Sequence, residues 1–268
     1  MSRTVTLYSQ EKNNKHFDQL VNKYTDLCKS ASKYFKLGQT EKGIEYCEQA
    51  LSISRDIGDR ELESYWLPWI GDAHRELGQT EKGIEYCEQA LSISRDIGDR
   101  ESEGICLGNM GNTYIDLGQI EKAIEYYEQA LYISREVGDR KNEGSWLTNL
   151  GNAYCDLGQI EKAIEYNEQA LSISREFGNR KNEGICLGNM GLAYRDLSQL
   201  AKAIEYYEQA ISISREFGNR ELESYWLSWI ADAHRELGQI EKAIEYNEQA
   251  LSIPPNLKDL YMFWDIDG

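Results

Sequence analysis

Apolar residues recur along this chain at helical spacing, and the pattern itself returns every 40 residues. Its clearest copy runs through Leu147, Leu150, Gly151, Tyr154 and Leu157, then through Ala163, Ile164, Asn167, Ala170, Leu171 and Phe177. Steps of three and four place each set on one face of a helix. Asp139 predicts an N-cap, Glu143 adds negative charge in the first turn, and Gly158 predicts a left-handed stop. A second helix is expected from about Ile160 to Glu176, with Glu161 near its start, Arg175 near its end and Gly178 closing it. The unit is two antiparallel helices joined by a tight turn.

The turn recurs at Leu37, Leu77, Leu117, Leu157, Leu197 and Leu237. A fixed period in this range implies a stacked array with one continuous core shared between neighbours. Small residues keep their places. Gly71, Gly111, Gly151, Gly191 and Ala231 share one slot in the first helix. Ala123, Ala163, Ala203 and Ala243 share one in the second, where the early copies have Gly43 and Gly83. Ala50, Ala90, Ala130, Ala170, Ala210 and Ala250 share another, seven residues on. Small side chains at such points let helix backbones approach closely.

The order of a large residue, Leu, Gly, Tyr, then Ala and Ala, matched by Leu147, Leu150, Gly151, Tyr154, Ala163 and Ala170, resembles the tetratricopeptide repeat. The 40-residue spacing is similar to that of the Pins and kinesin-light-chain-like branch. The resemblance implies an all-α, right-handed solenoid of six antiparallel helix-pair repeats spanning about 17–253. Repeats are expected near 17–58, 59–98, 99–138, 139–178, 179–218 and 219–253. Residues 1–16 read as a leader without periodicity, and 254–268 as an apolar tail after Pro254-Pro255. That tail carries Leu257, Leu260, Tyr261, Met262, Phe263 and Trp264. It is expected to cap the sixth repeat, to continue into a longer chain, or to bind a partner. The aromatic slot of the second helix departs from the pattern at Cys47, Cys87, Asn167 and Asn247. Asn there predicts softer layers or a compensating hydrogen bond. Ser198 replaces the turn glycine and should strain that turn.

Composition narrows the partners. The net charge of −17 argues against nucleic-acid backbones and anionic membranes. The six cysteines, at 28, 47, 87, 106, 155 and 186, form no C-x-x-C pairs, so neither a disulfide framework nor a zinc site is expected. Residues 1–24 lack the apolar core of a signal peptide, and no apolar run approaches membrane-spanning length. A cytoplasmic location is expected.

No nucleotide-binding, zinc-protease or serine-hydrolase motif occurs, so neither catalysis, a cofactor nor a metal is expected. His74 and His234 take the slot of Tyr114, Tyr154 and Tyr194 and read as aromatic packing residues. Acidic side chains such as Glu161, Glu165 and Glu168 read as solvated faces.

The resemblance places the first helices along a concave groove. Asn109 with Asn112, Asn149 with Asn152, and Asn189 would then form a ladder of amides able to hold an extended peptide, with Leu192 interrupting it. Gly108 and Gly188 suggest close approach of a ligand backbone; alternatively, Asn and Gly are helix-to-helix spacers copied by duplication. In repeats two and six the amide slots become Trp69 with Asp72, and Trp229 with Asp232, beside Tyr65 and Tyr225. Arg75, Arg195 and Arg235 share a further slot. These residue types dominate binding energy at interfaces. Trp66 and Trp226 read as core, and Pro68 should kink its helix. Two functions fit: a non-catalytic adaptor gripping an extended or helical partner segment, and a peptide-sensing regulatory module.

Overall fold

The computed structural model describes residues 22–253, and the expected leader and tail lie outside them. Within that span the chain is all helix. Helix α1 covers 22–36 and is followed by α2 (Thr40–Ile57), α3 (Arg60–Glu76), α4 (Thr80–Ile97), α5 (Arg100–Asp116) and α6 (Ile120–Val137). Then come α7 (Arg140–Asp156), α8 (Ile160–Glu176), α9 (Arg180–Asp196), α10 (Leu200–Glu216), α11 (Arg220–Glu236) and α12 (Ile240–Ser252). They form two compact units that divide between Gly138 and Asp139, at a repeat boundary.

Local signals set the helix ends. Asp59, Asp99, Asp139, Asn179 and Asn219 each accept a hydrogen bond from the backbone N–H three residues on, at 3.0–3.2 Å. The turn after each first helix passes through the left-handed region, as at Gly158 (φ 71°). Ser198 adopts φ 58° there, alone among the described non-glycine residues, so the strain expected from its Cβ is present.

In each unit a first helix packs on its own second helix, and that second helix packs on the next first helix. Successive first helices also touch: α3 with α5 in the first unit, α7 with α9 and α9 with α11 in the second. Successive second helices keep their backbones farther apart and meet through long side chains, as Tyr86 with Glu48 at 3.4 Å and Arg215 with Gln249 at 3.0 Å. The first helices therefore lie on the inner side of each unit's curve. Each pair is stapled by stacked rings. Tyr154 stacks on Tyr166 with centroids 5.3 Å apart, and His74 on Tyr86 and His234 on Tyr246 do the same at 5.3 Å.

The core is mainly apolar, and each repeat from the second to the sixth buries one glutamate in it. Glu63, Glu103, Glu143, Glu183 and Glu223 are buried near the starts of first helices. Arg175 reaches across the turn to Glu183 at 2.9 Å, while Arg180 bonds Glu183 and also Glu216 at 2.6 Å. Arg95 and Arg100 treat Glu103 alike, and Arg215 and Arg220 hold Glu223. Burial alone would push the Glu103, Glu183 and Glu223 carboxyls up. The paired arginine hydrogen bonds outweigh it and hold them below the usual carboxylate range.

Several sequence expectations need correction. Phe177 is 58% exposed, because α8 ends at Glu176 and the ring falls past the packed stripe. Asn247 is exposed, because no described helix covers that face of α12. Asn167 is buried and partly compensated: its Nδ2 donates to the Ala163 carbonyl at 2.9 Å, while its Oδ1 has no partner among the described residues. A Cβ at Gly188 would collide with the Trp226 ring, so a neighbouring side chain occupies the space assigned to a ligand backbone. Pro68 lies within α3, which continues to Glu76, so a kink there does not end the helix.

Candidate functional site: the first-helix face

In the first unit, Tyr65 and Trp69 stand one helical turn apart on α3 with ring centroids 6.4 Å apart, 50% and 51% exposed. Trp66, between them in sequence, is buried, and its Nε1 donates to the Tyr24 hydroxyl at 2.7 Å. Arg75 is committed to carboxylates. Its Nε donates to Asp72 at 2.9 Å and its Nη1 to Asp116 of α5 at 2.8 Å. Asn109 Nδ2 reaches the Pro68 carbonyl at 3.4 Å, a second α5-to-α3 link. Asn112 Oδ1 accepts from the Tyr127 hydroxyl at 2.8 Å.

In the second unit, Asn189 Nδ2 donates to Asn152 Oδ1 at 2.6 Å, joining α9 to α7. Asn149 is half-buried on α7. The Arg195 guanidinium lies over the Trp229 ring, 4.3 Å from its centroid, and bonds Asp196 at 2.8 Å. Tyr225 meets Trp229 edge-on with centroids 6.0 Å apart. Arg235 pairs with Asp232 at 2.8 Å.

The structure thus gathers the amides and aromatics onto helices that touch one another, and it gives most of them a partner inside the protein. An amide can make more than one hydrogen bond, so a fixed partner orients it without exhausting it. Sequence reasoning placed Asp72 in an amide slot but missed the other residues that set these orientations: Asp116, Asp196 and Tyr127. For Tyr127 a signal existed, since it fills the aromatic slot opposite Gly111. The face also carries carboxyls under strain. Burial pushes Asp156 up, and burial with Asp72 nearby pushes Glu76 up despite Arg75.

Among the described residues no cluster of three or more His, Cys, Asp or Glu could hold a metal ion. None of the described helices is long and apolar enough to cross a membrane. The thiols of Cys47 and Cys87 are buried and pushed up to about 12 by desolvation, which keeps them protonated and unreactive.

Solved structures share this architecture. A Podosopora anserina protein described as a kinesin light chain with nearly identical TPR-like repeats aligns at TM-score 0.61 and 23% identity, over 72% of this chain and 94% of that one. A signal-transduction ATPase of Pyrococcus horikoshii with a tetratricopeptide repeat sensor aligns at TM-score 0.70 and 22% identity. The match covers 90% of this chain and 38% of the ATPase. A Rap protein complexed with competence and sporulation factor aligns at TM-score 0.68 and 16% identity, over 86% of this chain and 74% of that one. No curated protein sequence matches. The tetratricopeptide repeat model matches residues 27–57, 61–136, 107–176, 142–216 and 185–256, and the chain belongs to that family.

Proposed function

We propose that this protein is a non-catalytic adaptor that holds an extended or helical segment of a partner protein against its first-helix face. The observation that carries the reading is the exposure of Tyr65 and Trp69 beside side chains already fixed in orientation. Large apolar groups left in water gain by burial, at about 25 cal/mol per Å² of apolar area covered. Oriented amides nearby reduce the ordering cost of gripping a peptide.

The test is affinity capture with quantitative mass spectrometry, comparing the wild type with Asn149→Ala/Asn152→Ala and with Trp69→Ala. A partner held by the wild type should be lost from the variants, while thermal unfolding stays almost unchanged. A partner retained equally by all three proteins defeats the reading.

A second reading is a peptide-sensing regulatory module. It is favoured by the likeness in fold to the Rap protein complexed with competence and sporulation factor and to the ATPase with a repeat sensor. A sensor should change its radius of gyration in solution scattering when ligand is added, and an adaptor should not.

A further inference from the structure

Helix α1 carries lysines at three positions where the later first helices have none. By the 40-residue equivalence, Lys29 stands in the slot of Trp69, Asn109, Asn149, Asn189 and Trp229. Lys36 stands where later repeats have Glu76, Asp116, Asp156, Asp196 and Glu236. Lys33 takes the slot of Ala73, Thr113, Ala153, Ala193 and Ala233. All three lysines are exposed. Together with Cys28, Ser32 and Leu37 they line a cavity of about 570 Å³ whose wall contains no carboxylate. In a chain of net charge −17 this is a local reversal, because residues 22–36 hold four lysines and one acidic residue, Asp26.

Repeat equivalence points from the aromatic pair of α3 to this cavity. Asn189 meets Asn152 37 residues earlier, and Asn109 meets Pro68 41 residues earlier. The same two relations applied to Trp69 point to Ser32 and Cys28, both on the cavity wall. The Trp66–Tyr24 hydrogen bond fixes α1 against α3.

We propose that this cavity is the docking site for an acidic segment of a partner protein, whose side-chain carboxylates pair with Lys29, Lys33 and Lys36 and whose chain continues toward Trp69. The proposal rests on the reading that the first-helix face binds a partner segment, and it names the chemistry of one end of that segment. Charge complementarity selects the occupant. The chain's own first residues are the wrong sign, with Arg3, Lys12 and Lys15 against Glu11. A polynucleotide would meet the repulsion of the whole molecule. Exposed lysines give charge attraction that salt screens, with a Debye length of about 8 Å at physiological ionic strength.

The experiment is fluorescence anisotropy with the full chain and a labelled peptide of alternating Glu and Ser. A Lys/Ser peptide and single-stranded oligo-dT serve as controls. The Glu peptide should bind, more weakly as salt rises, and Lys29→Glu/Lys33→Glu/Lys36→Glu should lower its affinity about tenfold or more. The triple Gln variant should fall between, with circular dichroism confirming that both fold. Lys242→Glu, at an exposed lysine of α12, should bind the Glu peptide as the wild type does. Failure of the Glu peptide to bind, equal binding by the triple Glu variant, or tighter binding of oligo-dT overturns the proposal. So does salt-sensitive self-association lost in the triple variant, which would give the site to Asp259, Asp265 and Asp267 of a second copy. If the lysine variants fail to matter while the Asn variants lose the captured partner, the lysine site falls and the adaptor reading stands. The reverse result removes the adaptor reading and keeps the lysine contact.

Discussion

The Tyr127 hydroxyl donates to Asn112 Oδ1 at 2.8 Å, whereas two repeats on the equivalent hydroxyl, that of Tyr207, is buried with no hydrogen-bond partner among the described residues. The difference traces to one position, because Leu192 stands where Asn112 would be. Burial also pushes the Tyr207 phenol up. Removing a satisfied hydroxyl loses about 1 kcal/mol, and removing an unsatisfied buried one loses nothing or gains. Tyr127→Phe should therefore destabilise by about 1 kcal/mol, and Tyr207→Phe should be neutral or stabilising. Urea unfolding of the two variants decides it, and equal losses would refute the assignment.

Gly188 sets two effects of opposite sign against each other. A mid-helix glycine costs about 1 kcal/mol relative to alanine, so Gly188→Ala should stabilise α9 on propensity alone. A Cβ there would run into the Trp226 ring. Overpacking of a rigid core costs about 1–3 kcal/mol, and the buried Trp226 has little room to retreat. Gly188→Ala should lower the melting temperature, and Trp226→Leu in the same chain should remove most of that loss. A melting temperature raised by Gly188→Ala alone would return the glycine to the ligand-approach reading.

Ser198 offers the opposite correction. At φ 58° its Cβ costs about 1–2 kcal/mol that glycine would not. Ser198→Gly should raise stability by about 1 kcal/mol after the greater unfolded-state freedom of glycine is subtracted. Thermal unfolding measures it.

The buried glutamates make acid stability predictable. The Glu103, Glu183 and Glu223 carboxyls titrate lower in the folded state than in the unfolded chain, where the value is about 4.3. A group with that sign adds stability above its unfolded pKa and loses it as pH falls through the folded value. The wild type should therefore weaken steeply below about pH 4. Glu103→Gln/Glu183→Gln/Glu223→Gln should be less stable at pH 7 and show a flatter acid limb. Melting temperatures from neutral pH downward give the comparison, and parallel curves would show that the arginine pairs contribute no pH-dependent stability.

The fold was legible because the informative residues act locally. Asp139 caps its own helix, Gly158 closes its own turn, and the bounds of α8 coincide with those expected from periodicity. What stayed hidden depends on which neighbour arrives. Arg175, and Glu143 as the repeat equivalent of Glu183, were legible only as favourable to a helix dipole, because the meeting of Arg175 with Glu183 across a turn needs side-chain direction as well as spacing. Asn152 and Asn189 were legible as exposed amides, but their mutual hydrogen bond depends on how closely α7 and α9 pack. The lysine face of α1 was readable in principle by aligning its slots with later repeats. It is hidden when that helix is set aside as merely divergent.

Helices α8 and α12 give an internal control. Residues 240–253 repeat residues 160–173 without a change. Yet Leu171 is 8% exposed beneath α9, and its equivalent Leu251 is 85% exposed. The same side chain on the same stretch of helix differs in its cover, so the pair separates burial from local sequence. Leu171→Ala should cost about 2 kcal/mol or more, because it empties a packed site. Leu251→Ala should cost less than about 0.5 kcal/mol, because a solvent-exposed side chain leaves no cavity behind. Denaturant unfolding of the two variants and the wild type reads the difference, and equal losses would show that Leu251 is covered in solution.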